Sequence, residues 1–365
     1  MIPVAQPYIS NKEIEYTKQA VTSGWISSHG NYISEFENSL SDYLNSKYVT
    51  TTNSGTSALH LALLALGVKE NDEVIIPTSS FIATLNAVLY VGAKPVFIDI
   101  EEDTWGIDTN KLETLITSKT KAIIAVHLYG YSSNIEEIKK ISNKYNIKLV
   151  EDNAEAFGAT SKTSKLGTVG DIGVFSFFGN KIITTGEGGA ICTNDKKIYE
   201  QIKILKNHGM HPTRKYYHEV VGYNYRMTNV QAAIGLAQLE QIEVFLQRRK
   251  IIKDLYDKEL SDITVTQKEL LDTKSVNWLY SMVFKDNINI DKLVQYLKDK
   301  GIDSRRIFVP MNKMPYLKKT DIEYDFEIAT KIYNNGITLP TYYELKDEEI
   351  IYICQQIKIY LKEEK

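Results

Sequence analysis

Through its first two thirds the chain alternates short apolar runs with longer helix-like runs. More than any other feature, this alternation restricts it to a mostly parallel β-sheet covered by helices on both faces. Glu73–Pro77, Lys94–Asp99, Lys121–His127 and Lys148–Asp152 read as brief buried strands. Ser57–Leu66, Ser80–Val91 and Ile135–Tyr145 read as the helices between them, and two more strands are expected over Gly173–Phe177 and Gly189–Thr193.

The pattern changes near Gln238, where a long charged helix is expected to run to about Leu260. An α+β stretch follows: a strand over Trp278–Phe284, a helix over Ile290–Lys300, a strand over Ile302–Phe308 and a terminal helix over Asp347–Lys362. We therefore expect a large domain, 1–245, and a smaller C-terminal α+β domain, 246–365, with the boundary good to about ten residues. No Gly/Ser-rich linker marks the junction, so a helical connection and closely packed lobes are expected.

Composition removes several classes of function. A net charge of -3, with no basic stripe, argues against nucleic acid as a partner. Cys192 and Cys354 lie too far apart in sequence for a disulfide framework or a zinc signature, and no metal is expected. No apolar run reaches the roughly 20 residues that span a bilayer. Met1-Ile2-Pro3-Val4 lacks the marks of a signal peptide, so the expectation is a cytoplasmic protein.

Three segments carry chemistry. In Thr52-Asn53-Ser54-Gly55-Thr56-Ser57 a Gly-Thr pair opens a helix after an extended run. Backbone N–H groups there suit an anion such as phosphate, although an ordinary cap by Ser54 or Thr56 would look the same. In Val150-Glu151-Asp152-Asn153-Ala154-Glu155 an aspartate ends a buried strand, where α/β sheets place their ligands. It needs a cation there, or else bonds to a neighbouring loop. In Phe175-Ser176-Phe177-Phe178-Gly179-Asn180-Lys181 a lysine follows aromatics and precedes Gly186-Glu187-Gly188-Gly189. It reads either as an amine made nucleophilic by desolvation or as a surface lysine in a polar turn.

Taken together, these segments resemble a known family. The order Ser-Gly-Thr, Thr-x-x-Phe-x-Ala-Thr, Glu-Asp-x-Ala-Glu-Ala, Phe-Ser-Phe-x-x-x-Lys, Gly-Glu-Gly-Gly and Tyr-Asn-Tyr-Arg-Met is similar to the nucleotide-sugar aminotransferases of the DegT/StrS type, from Pro3 to Pro340. Ser23–Ser28, Phe177–Lys181, Tyr223–Asn229 and Ile302–Arg305 look most like the perosamine-forming branch. The resemblance implies a pyridoxal phosphate enzyme of transferase fold type I, with a mostly parallel seven-stranded sheet in its large domain. The implied reaction moves an amino group from L-glutamate to C4 of a nucleotide-linked 4-keto-6-deoxyhexose. The implied nucleotide is GDP with a manno sugar, with UDP or dTDP and a gluco sugar (a viosamine product) as the alternative.

The resemblance also assigns residues. Lys181 matches the Schiff-base lysine, and its presence sets the chain apart from family dehydratases, which carry histidine there. Asp152 matches the carboxylate that pairs the pyridine nitrogen, and Phe81 the aromatic stacked on the ring. Gly55, Thr56 and Ser176 match the phosphate cradle. Asn224 matches a residue reaching the phosphate from a neighbouring subunit, which implies a homodimer with shared sites. Glu155 stands where many relatives have Gln or His near the ring hydroxyl. Arg305 matches an arginine at the mouth of the site, facing either the donor carboxylate or the sugar nucleotide. Trp25 and Ser27 are candidates for substrate contact, with Trp25 equally readable as a buried anchor. Val309-Pro310 lacks the usual aromatic before proline. His127 is expected to be a packed, hydrogen-bonded core residue. His208, His211 and His218 read as part of a mobile loop over the site, and Arg248-Arg249 as a solvated helix face.

Overall fold

The computed structural model describes residues 1–317 and 326–363. Seven strands form the main sheet: β1 (Tyr48–Thr52), β2 (Glu73–Pro77), β3 (Lys94–Ile98), β4 (Thr120–Val126), β5 (Lys148–Asp152), β6 (Ile172–Ser176) and β7 (Gly189–Thr193). They lie in the order β1-β7-β6-β5-β4-β2-β3. Only β7 runs antiparallel to its neighbours. Val126 pairs with Asp152 and Asp152 with Val174, so the carboxyl ends of β4, β5 and β6 finish level along one edge. That edge is where a doubly wound sheet receives a ligand.

The helix Gly55–Ala65 is apolar on nearly every side, because it is covered by the sheet and by the helix Ala83–Tyr90. By contrast, Ile135–Tyr145 is amphipathic and buries only Ile135, Ile138, Ile141 and Ser142. Two helices precede the sheet, Asn11–Thr22 and Asn31–Leu44. The first opens on a capping box, Ser10 to Glu13, legible in the sequence as Ser-x-x-Glu.

The long helix expected from Gln238 to Leu260 starts four residues later, at Ile242, and a separate helix, Asn229–Leu239, ends just before it. The break falls at Glu240-Gln241 and is gripped from outside. Gln238 and Gln241 both donate to Glu13 Oε1, at 2.6 and 2.9 Å, and Lys12 Nζ donates to Glu240 at 2.7 Å. Neither Gly nor Pro announces this break, because tertiary contacts set it.

A second, antiparallel sheet contains β8 (Thr264–Thr266), β9 (Tyr280–Phe284), β10 (Arg305–Arg306) and β11 (Gly336–Leu339), in the order β8-β9-β11-β10. The strand expected over Ile302–Phe308 shrinks to β10. Ile302 is instead bridged to Ile2, and Phe308 turns toward Tyr129. A separate core forms around Ile252, Tyr256, Met282, Leu297, Ile337 and Ile353. Val276, Trp278, Leu279 and Ile307, from the same C-terminal part, pack into the main core.

Arg248 and Arg249 do not form a solvated face. Arg248 bonds to Asp347 at 2.8 Å and to the Leu345 carbonyl. Arg249 is 5% exposed and donates to the carbonyls of Trp278 and Thr341. The terminal helix Asp347–Glu363 packs along Ile242–Leu260 and brings Asp347 to Arg248, while Arg249 is taken up by the segments around Trp278 and Thr341. Burial lowers the Arg249 pKa to about 10. Among the described residues no helix is long and apolar enough to cross a membrane.

Candidate active site

At the carboxyl edge of the main sheet lies a cavity of about 340 Å³, lined by Gly55, Thr56, Phe81, Asp152, Glu155, Ser176, Lys181 and Arg305 among others. Segments far apart in sequence meet there because the strand ends are level. Ser54 caps the helix Gly55–Ala65, accepting from the Ser57 N–H at 3.1 Å. The first N–H groups of that helix have no intrahelical acceptor and face an anion naturally. A Cβ at Gly55 would come within 2.8 Å of Ser176 Cβ, so only glycine lets the helix start this close to the end of β6.

Asp152 is 5% exposed, and its recorded donors are neutral: Thr84 Oγ1 at 2.8 Å and the Ala154 N–H at 3.1 Å. Burial raises its pKa, against the pull of those hydrogen bonds and of Lys181. A buried carboxylate held by neutral donors is suited to a cationic partner.

Lys181 is not a surface lysine in a turn. Its side chain is 12% exposed, with Nζ 3.8 Å from Glu155 Oε1 and 3.6 Å from the centroid of the Trp278 indole. Burial lowers its pKa while Glu155 and Asp152 oppose the shift. Burial likewise raises the Glu155 carboxyl, which accepts the Tyr129 N–H at 2.9 Å through Oε2. Phe81, 53% exposed, presents its ring at the mouth, 5.8 Å from the Phe308 ring. Phe308, one position before Val309-Pro310, supplies an aromatic wall to this cavity and stacks on Tyr129.

Sequence reasoning missed Tyr129 and Trp278. Neither stands in a motif, and Trp278 reaches Lys181 only because the C-terminal part folds back onto the sheet. Three expected site residues are not brought to this cavity by their own chain. Asn224 is exposed, with Oδ1 accepting from Arg226 Nε at 3.0 Å. Trp25 is 60% exposed, so it is not a buried anchor within its own chain, and Ser27 is exposed beside it. Asn229 fastens this stretch, bonding to the carbonyls of Trp25 and Ser27 at 2.7 Å each.

The histidines take ordinary partners. His218 Nδ1 donates to the His208 carbonyl at 2.8 Å, and His211 Nδ1 accepts the Thr213 and Arg214 N–H groups. His127 is fully buried, as its place in a strand suggests. The Ser133 N–H donates to its Nδ1 at 3.2 Å, so the proton sits on Nε2 and goes to Glu151 Oε2 at 3.1 Å. Glu151 also accepts the N–H groups of Gly167, Val169 and Gly170. We expect Glu151→Ala to destabilise the fold by about 3–5 kcal/mol, since it strands four donors, two of them, on His127 and Gly167, fully buried. Urea unfolding measures this, and an unchanged midpoint would contradict it.

The cavity fits pyridoxal phosphate on its donor set: a helix N-terminus for phosphate, a buried carboxylate for a protonated ring nitrogen, an aromatic face and a desolvated lysine. One lining atom, Asn180 Oδ1, is buried with no protein partner among the described residues.

Known proteins resemble the chain over nearly its whole length. The chain is 45% identical over 356 residues to a GDP-perosamine synthase of Escherichia coli O157:H7, covering 98% of this chain and 97% of that one. A sugar aminotransferase of Streptococcus pneumoniae, solved in its PLP form, matches with a TM-score of 0.91 at 31% identity, covering 98% of each chain. A mutant GDP-4-keto-6-deoxymannose-3-dehydratase with bound GDP-perosamine matches with a TM-score of 0.91 at 27% identity, over 98% of this chain and 100% of that one. The DegT/DnrJ/EryC1/StrS aminotransferase family model matches residues 7–358. The chain belongs to that family.

Proposed function

We propose that the protein is a pyridoxal phosphate-dependent aminotransferase that carries an amino group from L-glutamate to C4 of a GDP-linked 4-keto-6-deoxyhexose. The observation that carries this reading is the convergence of Lys181, Asp152, Glu155 and the Gly55-Thr56 helix start on one cavity, in a chain so similar to a GDP-perosamine synthase. The 4-amino-4,6-dideoxy sugar nucleotide formed would serve polysaccharide synthesis.

Bound in this cavity, pyridoxal phosphate supplies a carbonyl that takes up the amino group and a ring that withdraws electrons from the reacting carbon. Gly55, Thr56 and Ser176 hold its phosphate, and Phe81 covers its ring. The Asp152 carboxylate keeps the pyridine nitrogen protonated. Lys181 anchors the cofactor and, once free, its Nζ moves the proton at the substrate carbon that loses or gains the amino group. Glu155 lies within ion-pair reach of that amine. Arg305, exposed at the mouth, meets an anionic group of a substrate. Asn224 is exposed and does not line its own chain's cavity, which suits a residue lent to a neighbour in a two-fold dimer. The division into 1–245 and 246–365 is part of the same reading, supported by the second core beginning at Ile252.

The test is a parallel assay of GDP-, UDP- and dTDP-4-keto-6-deoxyhexoses with L-glutamate, following 2-oxoglutarate and the amino sugar. We expect the GDP substrate to be preferred by about tenfold or more in kcat/KM, a difference of a few polar contacts. Turnover of the UDP or dTDP sugar alone would replace perosamine with viosamine as the product.

A further inference from the structure

Lys181 must at some stage stand as a free, protonated amine in a buried place, and the structure shows where. Glu155 Oε1, at 3.8 Å, is further away than a charge-assisted hydrogen bond allows. The Trp278 indole is nearer: its centroid is 3.6 Å from Nζ, well inside the roughly 6 Å over which a ring face attracts a cation.

That indole is held from every side. Its Nε1–H donates to the Asn180 carbonyl at 2.6 Å, so the ring is tied to the residue next to the lysine it faces. Its backbone N–H donates to the Tyr129 carbonyl at 3.0 Å, and its ring stacks on the Tyr129 ring at 6.1 Å and 15°. Its own carbonyl accepts from the buried Arg249. Tyr129 sits at φ 53°, a left-handed conformation unusual for a bulky residue. In that conformation its N–H meets Glu155 while its carbonyl meets Trp278. One residue thus positions both neighbours of the Lys181 amine.

We propose that the face of Trp278 is the seat of the Lys181 ammonium whenever that amine is not bound to cofactor, and that Arg249 and Tyr129 are the positioning residues that hold the seat. An amine with a seat for its protonated form is a stronger base at the moment it takes up a proton. The inference rests on reading Lys181 as the reactive lysine. The other ionisable groups around the amine are Asp152 and Glu155 at the end of β5, Glu187 before β7, the Tyr129 phenol, and Arg305 and Arg306 from β10.

The experiment is trace acetylation of the full-length protein, stripped of cofactor, with acetic anhydride across a pH series. Labelling of Lys181 is read by peptide mass spectrometry. Trp278→Leu should lower the labelling midpoint by about one pH unit, because the ammonium loses its seat. Arg249→Met should shift it in the same direction, and Arg249→Lys should restore part of the shift. Because Trp278→Leu could disturb folding, the decisive series replaces tryptophan with fluorinated tryptophans, which drain charge from the ring face without changing its shape. The midpoint should fall with each added fluorine. An unmoved midpoint overturns the proposal, since a merely structural tryptophan would alter melting and leave the amine alone. The readout needs neither cofactor nor turnover. Failure of the functional reading would show separately, as cofactor attached to a residue other than Lys181.

Discussion

Lys181→Ala should lose turnover by at least about four orders of magnitude, since the proton transfer alone is worth about 10²–10⁴-fold and the anchoring of the cofactor is lost with it. The visible absorbance of bound cofactor should change to that of the free aldehyde. The fold should survive. Glu155 loses its cation 3.8 Å away, but burial already raises its carboxyl, so it can take up a proton; the melting point should fall without loss of the fold. Steady-state assay with glutamate and the keto sugar, beside a melting curve, checks both halves. A variant that retains full activity would end the assignment of Lys181.

Asp152→Asn should slow the reaction by about 10³-fold or more while keeping cofactor bound, because a neutral amide no longer stabilises a protonated ring nitrogen. The replacement is nearly free of structural cost. Thr84 Oγ1 lies 2.8 Å from Asp152 and 3.0 Å from Ser80 Oγ, so its hydroxyl can turn to donate to Ser80 and accept from the new amide. Single-turnover measurement with glutamate isolates the effect from product release. Near-normal rates would show that Asp152 faces something other than the ring nitrogen.

Much of the large domain was legible because each strand is a short apolar run with a helix behind it. Glu73–Pro77, Lys148–Asp152 and Ile135–Tyr145 begin and end where their patterns do. The start of the helix at Gly55 and its cap by Ser54 were legible for a local reason, since both act within one segment. What was illegible depends on contacts between distant segments. Arg249 has the chemistry of a surface residue and is buried because the distant segments carrying Trp278 and Thr341 fold onto it and take its hydrogen bonds. The break at Gln241 depends on Glu13, more than two hundred residues earlier. Trp278 and Tyr129 reach the lysine through hydrogen bonds that no local pattern encodes. Asn224 remains apart from the cavity of its own chain, so the role proposed for it would require a partner subunit.

The proposed chemistry turns on a single bond, between pyridoxal phosphate and the side chain of Lys181. Purified protein incubated with pyridoxal phosphate, reduced with borohydride, digested and sequenced by mass spectrometry tests it directly. One stoichiometric adduct is expected on the peptide containing Lys181, lost when L-glutamate is added before reduction. An adduct on any other lysine, or none at all, would contradict it.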